Sequence, residues 1–202
     1  MERSSIDFNL IAIITITFIF PLAFGFFITN DGIWFTSVTL HTALEASAGI
    51  IAIAVATILL AKSKHKREIN HYYWSAIALY AMGIFDFLHS LTEPGDLFIL
   101  LQSLAVFFGG LFSLLVWVPK KTVNHFLFKL IPFIFVSSIL FLAVIILLFN
   151  YIIPPMREIN GEFIPFAIYL NLICGVSFFI TAVFFINLYF NKKNKENLLL
   201  IG

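Results

Sequence analysis

Apolar positions in this chain neither alternate nor form a stripe; they come in unbroken runs. Six runs reach the length that a hydrocarbon-spanning helix needs, about 20 mostly apolar residues. They lie at roughly 8–28, 37–61, 72–91, 97–118, 126–150 and 164–190. The connections between them are too short for a soluble domain, and no internal repeat or low-complexity segment interrupts the series. The pattern predicts an all-α fold: a polytopic membrane helix bundle over residues 1–190, followed by a tail at 191–202. No small-residue cleavage site follows the first run, so it reads as a span and not as a signal peptide.

Charge orients the bundle. Of the 12 Lys and Arg residues, all but Arg157 fall on one side of it: Arg3, the loop with Lys62, Lys64, Lys66 and Arg67, the group Lys120, Lys121 and Lys129, and the tail with Lys192, Lys193 and Lys195. Positive residues concentrate in cytoplasmic loops, so both termini are expected in the cytoplasm, in a multi-pass protein of the cell inner membrane. Tyr72, Tyr73, Trp74, Trp117 and Tyr189 then fall at the inner interface, and Trp34 and Tyr151 at the outer one.

Composition agrees with that reading. The chain has 202 residues, 61% of them hydrophobic and 11% charged, whereas a soluble domain is about one quarter charged. A net charge of +1 carries no signal for a nucleic-acid or acidic partner, and no nucleic acid is expected. The single cysteine, Cys174, excludes an internal disulfide and a cysteine metal cluster. No phosphate loop, nucleophile elbow or serine–histidine pair is present, and no catalytic turnover is expected.

Several breaks in the runs have structural readings. Pro21 and Gly25 suit a kink in the first span, Pro132 falls in the first turns of the fifth and Pro165 at the start of the sixth, and Gly109 and Gly110 allow close approach in the fourth. Asn171, Cys174 and Ser177 form a polar stripe suited to interhelical contact. The segment 151–163 reads as a connector, with a lid as the alternative. His65, His71 and His125 sit in basic loops and read as solvated.

Four ionisable residues do not belong in hydrocarbon: His41 and Glu45 in the second span, Asp86 and His89 in the third. Such residues are costly and mark a functional site by default. Spacings of four and three put each pair on one helix face. At 1.5 Å per residue all four lie within roughly 5–15 Å of the outer boundary. Gln102 enters at similar depth. Below His41 and Glu45 the small residues Ala48, Gly49 and Ala52 turn that face into the bundle. Two histidines and a carboxylate suit a first-row transition metal at His41, Glu45 and His89. Two facing histidines also suit haem iron. A proton-linked site and a set of hydrogen-bonded pairs that fixes helix register remain open alternatives.

The stretches "HTALEASAGIIAIAVATILLAK" and "GIFDFLHSL" resemble the third membrane-associated sensor (MASE) family of bacterial integral-membrane input domains. His41, Glu45, Asp86, His89, Leu91 and Gly95 carry the likeness. It is best over residues 37–118. The chain departs from the family pattern at Thr92 and Glu93, where an aromatic is usual, and in "LLQSLAVFFGG", which lacks the usual Trp and Arg. The resemblance implies a sensory domain that passes a ligand, metal, haem or redox signal to a cytoplasmic output, with a homodimer as a candidate assembly. The tail "NKKNKENLLLIG" fits either an excised input domain or a stand-alone protein. Rival readings are a haem- or metal-binding membrane redox protein and a small-solute or ion transporter. The apolar inner halves of the spans offer no polar path for transport.

Overall fold

A computed structural model describes residues 38–65, 71–118, 153–158 and 162–192, with isolated positions at 15, 19 and between 130 and 149. Among the described residues the secondary structure is helical, apart from one isolated bridge between Arg157 and Phe163. Four helices carry the description: α1 (Val38–His65), α2 (His71–Ser90), α3 (Asp96–Ser113) and α4 (Pro165–Lys192). A 3₁₀ turn, Leu114–Trp117, extends α3. The second, third, fourth and sixth expected spans match these helices to within a few residues. The first span, and all but scattered helical positions of the fifth, lie outside the described residues.

Three helical stretches are long and apolar enough to cross a membrane: Leu40–Ser63, Asp96–Trp117 and Pro165–Phe190. Helix α2 is not among them, which differs from the expected third span. The reason is its composition: His71, Tyr72, Tyr73, Tyr80, Asp86 and His89 make it less apolar than the other three. It packs against both α1 and α3, which covers much of its surface with protein. Tyr72, Tyr73 and Trp74 are buried against protein, whereas Trp117 is exposed.

Small residues set the helix spacing. Gly49 in α1 lies against Gly83 and the Phe87 backbone in α2. The face that turns inward is Gly49, Ala52, Ile53 and Ala56; Ala48, expected on it, is exposed. Gly109 gives room to Met82 of α2, and Phe85 stacks on Phe108 at 5.7 Å. Gly110 lies against Cys174 and Ser177 of α4. Asn171 Nδ2 donates to Ser103 Oγ at 3.2 Å, so the polar stripe on α4 faces α3. Deeper along α1 and α2, Thr57 Oγ1 and Tyr80 OH are 2.8 Å apart.

Residues 38–180 form one unit, which holds the candidate site; the rest of the chain forms the other, described at 15, 19 and 181–192. Within the first unit residues 153–158 and 162–164 are held down. The Met156 amide donates to Asp96 Oδ1 at 2.9 Å, and the Met156 side chain packs with Leu100 and Ala167. The Glu158 amide donates to the Glu162 carbonyl, and that of Ile164 to the Met156 carbonyl.

Candidate functional site

The site lies where the start of α1, the end of α2 and the start of α3 meet. His41 and Glu45 occupy consecutive turns of α1, and the His41 Nε2 and Glu45 Oε2 atoms are 3.1 Å apart. His89 reaches the same carboxylate oxygen from α2, with Nε2 at 2.8 Å. The three donor groups lie within 4.8 Å of one another.

Their exposures differ in a useful way. The His89 side chain is 1% exposed, Glu45 22% and His41 47%. His89 is therefore the fixed member and His41 the accessible one. Helix α2 ends just after His89, and Thr92 closes that end. Its amide and its hydroxyl both donate to the His89 carbonyl, at 3.0 and 2.8 Å. The His89 ring is also held from the side, 3.7 Å between centroids from the Phe98 ring of α3. The same Phe98 ring lies 5.5 Å from that of His41.

The His89 Nδ1 atom lies 2.6 Å from the Phe98 carbonyl oxygen. A carbonyl only accepts, so Nδ1 carries the proton. The lone pair of the neutral ring is then on Nε2, which faces Glu45. This is the arrangement by which a backbone carbonyl orients a metal-ligating histidine. Both Nε2 of His89 and Oε2 of Glu45 are buried, and neither has an aligned hydrogen bond despite their 2.8 Å separation.

The other expected members stand apart from this triad. Asp86, one turn before His89, is half-buried, but it is not one of the three converging donors. Gln102 is exposed, one turn along α3 from Phe98. His71 is buried at the first residue of α2 with its ring 4.3 Å from that of Tyr72, which corrects its reading as a solvated loop residue. His65 is the last residue of α1, and His125 lies outside the described residues.

Comparison with protein-family models, with curated proteins and with solved structures finds no match for the chain. The chemistry of the site rests on its own geometry. Two imidazole nitrogens and a carboxylate oxygen around one point can hold a small cation. A haem fits poorly, because the Glu45 carboxylate touches both Nε2 atoms and the Phe98 ring packs on both imidazoles, in the space that the macrocycle needs.

Three contributors carried no signal in the sequence reading. Phe98 acts through its ring and its carbonyl, Thr92 through the end of α2, and Gly83 through the backbone contact with Gly49. A Thr three residues after a buried histidine, at a helix end, is a cue that capping rules could have supplied.

Proposed function

We propose that this chain is the membrane-embedded sensory input domain of a bacterial signalling protein. It is multi-pass in the cell inner membrane, with both termini cytoplasmic. His41, Glu45 and His89 receive the signal near the outer face, with Asp86 beside them, and α4 carries the change to a cytoplasmic output. The observation that supports this most is the convergence of ionisable side chains from α1 and α2 on one point, next to α3. A ligand there touches two helices at once. If it favours one arrangement of them, its binding energy shifts the balance between two states. Of the residues that resemble the third membrane-associated sensor family, His41, Glu45 and His89 build the point.

The haem form of the redox reading is weakened by the poor fit of a macrocycle beside Phe98. Transport is weakened by the apolar inner halves of the spans, which carry no ionisable residue deeper than the cluster. The test is a fusion of residues 1–202 to a kinase or cyclase output, read in living cells. Glu45→Gln and His89→Ala should each lock the output at one level, with membrane insertion unchanged. Output identical to the unmodified fusion in both variants, at equal protein level, would overturn the sensor reading.

A further inference from the structure

We infer that His41 Nε2, Glu45 Oε2 and His89 Nε2 form an exchangeable site for a divalent first-row transition ion. This deepens the reading of the cluster as the receiving site, and rests on it only for the signalling consequence.

The first argument is geometric. The Phe98 carbonyl takes the Nδ1 side of the His89 ring, so Nε2 is the atom turned toward a carboxylate oxygen 2.8 Å away. Both atoms are buried, and neither has a hydrogen-bond partner. His41 Nε2 approaches the same oxygen at 3.1 Å. One cation bonded to all three atoms serves each of them at once.

The second argument is dimensional. Ligands bonded to zinc at about 2.0–2.2 Å, in adjacent tetrahedral positions, stand roughly 3–3.5 Å apart. The two His–Glu45 separations, 2.8 and 3.1 Å, are close to that spacing. The widest donor pair, within 4.8 Å, needs to close by roughly an ångström to share an ion. His41 can supply that movement, since its side chain is 47% exposed and lies at the start of its helix.

The donor set names the class of ion. Calcium and magnesium take all-oxygen shells, and copper(I) prefers sulfur, so two imidazoles with one carboxylate select a divalent borderline ion such as zinc. Three protein ligands with an exposed side leave a position for water, which marks an exchangeable site and not a closed structural one.

The test uses the full chain in lipid nanodiscs, dialysed against zinc and, separately, magnesium, with elemental analysis of the retained metal. Cobalt(II) in place of zinc reports the ligand field by its visible absorption. One zinc per chain is expected, with no magnesium retained and a cobalt spectrum of low coordination number. His41→Ala leaves the buried contacts of the fold intact, so it should melt like wild type, yet lose affinity by more than about 100-fold; even groups behind a ligand contribute about 10- to 100-fold. Glu45→Gln should do the same. Absence of bound zinc in the wild type, or equal binding in both variants, would sink the inference. The two readings fail separately. An output fusion that responds equally well in the presence of a zinc chelator removes the metal and leaves the sensor. Zinc bound through these residues with an unresponsive output leaves the metal and removes the sensor.

Discussion

Gly49 and Gly83 meet across α1 and α2 with no side chain between them. A Cβ on Gly49 would lie 2.9 Å from the Gly83 carbonyl oxygen, and one on Gly83 would lie 2.7 Å from that of Gly49. The obstructing atoms are backbone, so neither helix can yield without moving as a whole. Glu45 sits one turn before Gly49 and His89 fewer than two turns after Gly83. The glycine contact therefore sets the separation across which the carboxylate and the imidazole meet.

Gly83→Ala should force α1 and α2 apart. A cost of about 1–3 kcal/mol is expected, as for other overpacked contacts. It should appear as a lower unfolding midpoint in detergent, together with weaker zinc retention. Gly175, which has open space where a Cβ would go, is the control. Gly175→Ala should leave the midpoint unchanged or raise it by up to about 1 kcal/mol in stability, the usual helix preference for Ala.

The two histidines should separate in a stability measurement. His89→Ala opens a hole beside Phe98 and leaves the Phe98 carbonyl and Glu45 without their shared partner, at a cost of about 2–4 kcal/mol. His41→Ala, on an accessible side chain, should cost less than about 1 kcal/mol. Denaturant titration of both variants in the same detergent checks the contrast. Equal losses would mean that His41 is as structural as His89.

Thr92 predicts a subtler effect. Thr92→Val keeps the shape but removes the hydroxyl that donates to the His89 carbonyl. A loss of about 1 kcal/mol is expected, with restoration in Thr92→Ser. Faster amide exchange at the end of α2, around Leu91 and Thr92, is the local signature.

Asp96→Ala should release the 153–163 segment. The Met156 amide loses its acceptor, while the Met156 side chain keeps its packing against Leu100 and Ala167. The expected result is faster exchange at Met156 and Ile164 with global stability lowered by about 1 kcal/mol. Unchanged exchange at Met156 would show that packing alone holds the segment.

The Thr57–Tyr80 pair offers a double-mutant cycle. Thr57→Val and Tyr80→Phe together isolate one interhelical hydrogen bond, for which a coupling of about 0.6 kcal/mol is typical inside membrane bundles. A coupling near zero would assign Thr57 wholly to its other bond, to the Ile53 carbonyl in its own helix.

Much of the chain was legible from run length. The limits of α1, α2, α3 and α4 follow the apolar runs closely, because a long run without turn residues satisfies its backbone hydrogen bonds as one helix. Pro165 marked the start of α4 for a local steric reason. The pairing of His41 with Glu45 was also legible, since a spacing of four is enough to bring two side chains together on one helix. His71 was misread because its basic neighbours suggested a loop, whereas α2 begins at His71 and packs it inside.

What the residues could not decide alone was rotation. A spacing of three places Asp86 and His89 on the same broad face of α2, and nothing local says which of them meets α1. The Gly49–Gly83 contact fixes how the two helices approach, and in that approach His89 reaches Glu45 while Asp86 stays beside the triad. The tautomer of His89 was equally hidden, because its acceptor is the main-chain carbonyl of Phe98, and a carbonyl belongs to every residue type. Only the packing of α3 against the end of α2 brings that oxygen to Nδ1 and turns Nε2 toward the carboxylate.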